Sequence, residues 1–161
     1  LLLKLLGREK NLEGDVMKPM EYITVEEVKK VCKELGIRDW TTLKEPKVEL
    51  KEAQAILNAM HVEGMKIVLE DFRQGLEVEL EHGVMFKDAN VTNNHPILTG
   101  KIVLAHFKET LDYYHRLEVA EIEGDLLKAV VSRNPAKVEA LYRKLIHARH
   151  ILGQKEAGQL D

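Results

Sequence analysis

Residues 65–82 read Met65-Lys66-Ile67-Val68-Leu69-Glu70-Asp71-Phe72-Arg73-Gln74-Gly75-Leu76-Glu77-Val78-Glu79-Leu80-Glu81-His82. Each residue of an α-helix advances about 100° around the axis, and on that wheel Met65, Val68, Leu69, Phe72, Leu76 and Leu80 share one arc of about 120°. Glu70, Gln74, Glu77 and Glu81 take the opposite side, so the segment has a dry face and a wet one. The pattern predicts a helix from about Met65 to His82. Gly75 inside it costs about 1 kcal/mol relative to alanine unless a neighbour needs the close approach.

Downstream, Pro96 suits a first helical turn, and Val103, Phe107, Leu111, Tyr113, Tyr114 and Leu117 then recur on one face. Lys108, Glu109, Asp112 and Arg116 cluster opposite. This predicts the longest helix of the chain, Pro96 to Glu121. Shorter helices flank the pair. Thr24 with Glu27 three residues on is a capping-box pattern, and Gly36 sits where that helix stops. Asp39 can cap a turn carrying Trp40, and Pro46 closes the connection. Leu50, Ala53, Ile56, Leu57 and Met60 predict a helix from about Glu49 to His61. Gly124 is expected to interrupt the pattern before Leu126–Val131. A last helix from Pro135 carries Val138, Leu141, Leu145, Ala148 and Leu152 on one face, and the tail after Gly153 is expected to fray. Between Gly83 and His95 the run Asn90-Val91-Thr92-Asn93-Asn94 can cap a helix or imitate backbone turns. No strand pattern, repeat or linker appears. The expected fold class is all-α, an irregular helical bundle around two long helices, in a single helical domain over residues 1–161.

Composition narrows the function classes. With 161 residues, 45% hydrophobic and only 5% aromatic, the chain can bury an aliphatic core without staples. Its one cysteine, Cys32, lies on the stripe of Val28, Val31 and Leu35, which reads as packing and excludes an internal disulfide. No apolar run reaches the length of a membrane span, and Leu1–Leu6 is interrupted by Lys4. The expectation is a soluble protein of a reducing, cytoplasmic compartment. The first residue is not methionine, so the true start stays open, as does a removed leader. It is equally open whether Leu1–Leu6 docks another subunit in a homo-oligomer. Abundant Glu and Lys fit a thermophile's composition. A net charge of −3 argues against a chain-wide nucleic-acid footprint. Locally, Lys128, Arg133, Lys137, Arg143, Lys144, Arg149 and Lys155 face only Glu139, so the basic last helix could serve an interaction module.

The informative residues are acids and imidazoles on dry faces. Glu79 points into the stripe of the 65–82 helix, with His82 about 60° to its other side. On a continuous 96–121 helix, His106, Glu118 and Glu121 likewise fall on or beside the apolar arc, while His115 lies about 180° from His106. Burying unpaired carboxylates costs several kcal/mol, so partners are required: histidines, the hydroxyls of Tyr113 and Tyr114, an arginine, or a metal. Two readings follow. One is a buried Glu/His/Tyr polar network. The other is a metal site for iron, manganese or zinc built from Glu79, His82, His106, Glu118 and Glu121, since Glu-x-x-His aims two ligands at one ion in helical bundles. His147 and His150 share that spacing among cationic neighbours and read as a surface pair. His61 and His95 fall at helix ends and read as caps. Phosphate loops, nucleophile elbows and zincin motifs are absent, so no catalytic set can be named.

The blocks Phe72-Arg73-Gln74-Gly75-Leu76-Glu77-Val78-Glu79-Leu80-Glu81-His82-Gly83, Asn90-Val91-Thr92-Asn93-Asn94, Gly100-Lys101-Ile102-Val103-Leu104-Ala105-His106 and Asp112-Tyr113-Tyr114 occur in order. Over about Asp71 to Glu121 the chain resembles a family of small helical domains of unknown function from bacteria and archaea. The resemblance implies no activity. The family's expected proline before Asp-Tyr-Tyr is Leu111 here, which favours an unbroken helix.

Overall fold

Thr24 opens the first helix: its hydroxyl accepts from the Glu27 N–H at 3.2 Å, and Val25–Leu35 follow as α1. Gly36 then ends it at φ 66°, a left-handed position that glycine takes without a Cβ penalty. The computed structural model describes residues 23–160; Leu1–Leu6 lies outside them. Every regular element among the described residues is helical, as the pattern predicts. After a short turn at Trp40–Thr42, capped by Asp39, come α2 (Leu50–Ala59), α3 (Leu69–Met85), α4 (Pro96–Glu109), α5 (Tyr113–Val131) and α6 (Pro135–Ala157). No helix among these residues is long and apolar enough to cross a membrane.

α1 to α4 and the first turns of α5 enclose one core, centred on Val28, Trp40, Ile56, Phe72, Leu76 and Val103. Cys32 packs within it, and burial raises its thiol's pKa, so it is an inert filler. α2 is rotated from the expected stripe. Leu50 is exposed, while Glu52 is fully buried. The Arg38 guanidinium explains this, donating from Nε at 2.9 Å and from Nη2 at 2.6 Å, while Glu52 also accepts from the backbone N–H groups of Arg38 and Glu49. Burial alone would raise the Glu52 pKa, but these bonds hold it below the usual carboxylate range.

The expected 96–121 helix is two helices. Thr110 is extended, at φ −162° and ψ 140°, and its hydroxyl bonds the Asp112 carboxylate. Asp112 starts α5 and receives Arg116 through two bonds, of 2.9 and 2.8 Å. The break needs no proline, so Leu111 does not make the helix continuous. Asp112 accordingly is buried, contrary to its expected place on a wet face. α3 begins at Leu69, leaving Met65 outside it and Val68 exposed at its cap, and runs through Gly83 to Met85. Gly124 and Gly153 break nothing: α5 and α6 run straight through them.

The asparagine loop ties the bundle's end together. Asn94, at φ 61°, donates to the Trp40 carbonyl at 3.2 Å and accepts from Asn90, while Asn93 donates to the Ile23 carbonyl. His95 caps α4, its Nδ1 accepting from the Leu98 N–H, as its position predicts. α5 and α6 form an antiparallel hairpin that leaves the body. α6 packs along α5 and meets α3 near its C-terminal end, where Lys155 reaches Asp71 at 2.6 Å.

Candidate functional site

Glu79 faces inward from the middle of α3, one turn after Gly75. That spacing builds the site. A Cβ on Gly75 would sit 2.6 Å from Tyr114 Cε2 and 2.7 Å from Val103 Cγ1, so the glycine is what admits the Tyr114 ring against α3. The ring then carries its hydroxyl to Glu79, donating to Oε1 at 2.8 Å. His106, from the last turn of α4, approaches the same oxygen, its Nε2 at 3.6 Å. Tyr113 stacks on His106 with centroids 3.9 Å apart and planes 11° from parallel, and Tyr114 meets that imidazole edge-on.

Three helices thus meet through one carboxylate. Burial, then the Glu79 charge and bond, hold the Tyr114 hydroxyl far above the ordinary phenol range, so it is a committed donor and not a base or nucleophile. Glu79 is largely buried yet partnered, which answers the cost that its position raised. His106 Nδ1 is buried without a hydrogen-bond partner among the described residues. The chemistry of this set is a polar tie: a carboxylate bonded by one phenol and approached by one imidazole.

Of the five residues expected to converge, the contacts join two. Glu79 and His106 meet at the tie. His82, Glu118 and Glu121 lie further along α3 and α5, with His82 and Glu121 exposed and Glu118 half-buried. The Glu121 carboxyl is raised by partial burial first and then by Glu81, with Asp125 and Glu118 adding and His82 opposing. Because α5 is a separate helix, Glu118 and Glu121 do not share His106's axis, and the wheel that joined them does not apply. Among the described residues no group of three His, Cys, Asp or Glu side chains is placed to hold a metal ion.

A second polar cluster, which the helical periodicity does not signal, lies at Asp71. Asp71 receives the Lys155 ammonium at 2.6 and 2.8 Å and faces His115 Nε2 at 3.3 Å, beside a cavity of about 240 Å³. Nearby, Arg116 bridges Asp112 and Glu156 at 2.8 Å each. These pairs fasten the far end of α6 to α3 and to the start of α5. Only the break at Thr110 reveals Asp112 as a buried cap, and no periodic signal carries that. His147 and His150 are exposed, as their surroundings predict.

Four of the seven basic residues named from Lys128 to Lys155 are answered by acids: Lys128 by Asp125, Arg143 by Glu139, Arg149 by Glu123 and Lys155 by Asp71. That pairing removes much of the positive surface a polyanion would need. Arg133, Lys137 and Lys144 have no ion-pair partner among the described residues, and beside them stands an exposed apolar set. Leu127, Val130 and Val131 of α5 and Tyr142 and Ile146 of α6 are all exposed.

No curated protein and no solved structure matches the chain significantly. A family model, described as Protein of unknown function (DUF5661), matches residues 28–123. The match takes in α1 and α2 as well as the 71–121 blocks, and it ends where the hairpin leaves the body. The chain therefore belongs to this family of unknown function, whose matched region is the helical body with the Glu79–Tyr114–His106 tie at its centre.

Proposed function

We propose that this chain is a non-catalytic assembly module, a helical body that holds out the α5–α6 hairpin as an arm for docking onto another helical surface. The observation that carries this reading is the arm's five exposed large apolar side chains, Leu127, Val130, Val131, Tyr142 and Ile146. Contiguous apolar patches of this kind mark interaction sites more often than they occur by chance. The tie at Glu79 supports it from behind, since Tyr114 and His115 root α5 in the body while Lys155 and Glu156 root α6. A rooted arm presents its outer face in one orientation, which lowers the entropy cost of docking.

The test replaces Leu127 and Ile146 together by glutamate. Both side chains are more than half exposed, so the helical circular dichroism and the Tm should stay as in the wild type while association is lost. Association that survives the double substitution would remove the arm from the account.

A further inference from the structure

The cavity of about 240 Å³ lies where the start of α3, the α4–α5 break and the end of α6 meet, apart from the arm's exposed side chains. Its wall is chemically uneven. Ile67, Val68, Phe107 and Leu111 form an apolar side, and Phe107 belongs to the core. Asp71, Asp112 and Lys155 form a charged side. We propose that this cavity is a binding site for a small uncharged molecule, largely apolar, of the size of a single aromatic ring carrying a hydroxyl group.

Size sets the first limit. An apolar protein cavity of about 150 Å³ takes up benzene, so this larger one has room for a ring and one or two further atoms. Charge sets the second. Four charged side chains line the cavity, Lys66, Asp71, Asp112 and Lys155, and three of them are answered within the chain. Asp71 accepts two bonds from the Lys155 ammonium and faces His115 Nε2, while Asp112 accepts two bonds from Arg116 and one from the Thr110 hydroxyl. A charged ligand has to break one of these pairs or enter without a counter-charge, and either is costly beside a buried wall. The fourth charge, Lys66, is exposed, and an ion pair with a solvated lysine is worth little. An uncharged ligand disturbs none of them. Its ring rests against Phe107 and Leu111, and its hydroxyl finds amide groups in Gln154 and Gln159, which line the same cavity. One wall can also yield to let it in. Lys66, Ile67 and Val68 belong to the connection between α2 and α3, where no backbone N–H from Val62 to Val68 has a hydrogen-bond partner among the described residues. Half-buried Met65 and Ile67 hold this connection against the core, so it moves outward without breaking a backbone hydrogen bond.

Titration of the full chain with benzyl alcohol, benzoate and benzylammonium, three probes of one size that differ in charge, tests this by backbone amide NMR shifts. Benzyl alcohol should give saturable shifts at 66–68, at Phe107 and Leu111 and at 154–159, with a Kd on the order of 1 mM or below, and should raise the Tm. The two ions should bind at least about tenfold more weakly. Leu111 is 39% exposed and Val68 54%, so each can be enlarged without overpacking the core. Leu111→Trp and Val68→Trp should each fill the cavity and abolish the benzyl alcohol shifts at a Tm within about 3 °C of the wild type. No saturable shift up to about 20 mM benzyl alcohol, or saturation confined to the arm at Val130 and Tyr142, overturns the site. Benzoate or benzylammonium binding as tightly as benzyl alcohol overturns the uncharged class. Binding that survives both tryptophan substitutions overturns the location.

Discussion

Replacing Gly75 by alanine sets two well-measured effects against each other. Alanine in a helix interior is worth about 1 kcal/mol over glycine. Against this, the new methyl would lie 2.6 Å from the Tyr114 ring and 2.7 Å from a Val103 methyl. Neither neighbour can yield cheaply: Tyr114 and Val103 are both buried, one is a rigid ring and the other a branched side chain with stiff rotamers. Overpacking of this kind costs typically 1–3 kcal/mol, and pushing the ring away also weakens a hydrogen bond to a carboxylate worth about 1.5–3 kcal/mol. The balance is a loss of about 1–3 kcal/mol, or a Tm lowered by roughly 3–10 °C. Gly124→Ala is the control, since its Cβ meets nothing within 4 Å in the middle of α5. It should gain up to about 1 kcal/mol. Thermal and urea unfolding followed by circular dichroism measure both. A Gly75→Ala protein as stable as the wild type, or more so, would refute the claim that glycine is there to admit Tyr114.

Glu52→Gln removes a fully buried charge from the Arg38 guanidinium and should lower stability by about 2–4 kcal/mol, read as a lower urea midpoint at unchanged slope. His95 is buried, which depresses its pKa, and it caps α4 as an acceptor only while neutral. A depressed folded pKa means that its contribution is present above the unfolded value of about 6.5 and is lost as pH falls through the folded one. His95→Asn keeps a capping oxygen, so it should match the wild type near neutrality and exceed it increasingly on acidification; parallel pH profiles would contradict this. Glu121 is the opposite case. Its folded pKa is raised, so its contribution is most favourable below the unfolded value of about 4.3 and is lost as pH rises through the folded one. Glu121→Gln should therefore raise the Tm modestly at pH 7 and leave it unchanged near pH 4.

The all-helical architecture was legible because caps and periodicity are local. Thr24, Gly36, Asp39, His95 and Pro96 act where the sequence puts them. Glu79 was legible for the same reason, as an acid inside an apolar stripe with tyrosines among its named partners. What sequence periodicity could not carry was the break at Thr110–Asp112. A hydroxyl–carboxylate bond and an Arg116 fork make it, and Asp112 and Arg116 look like ordinary wet-face positions on a continuous wheel. A continuous wheel puts Glu118 and Glu121 on the axis of His106, whereas the break places them on a separate helix. Glu52 was missed because its partner Arg38 lies in a loop with no period. Gly75 reads as costly within a helix, but nothing local links it to Tyr114, so far away in sequence. The exposed face of the arm was hidden among aliphatic residues that read equally well as core.

The most direct test of the arm is amide hydrogen exchange measured by mass spectrometry, since local opening free energies report what covers each helix. The account predicts that the roots of the hairpin around Tyr114 and Lys155 exchange about as slowly as α3, while 127–146, with its exposed apolar side chains, exchanges faster. Uniform exchange along α5 and α6, or roots that open before the tip, would contradict it.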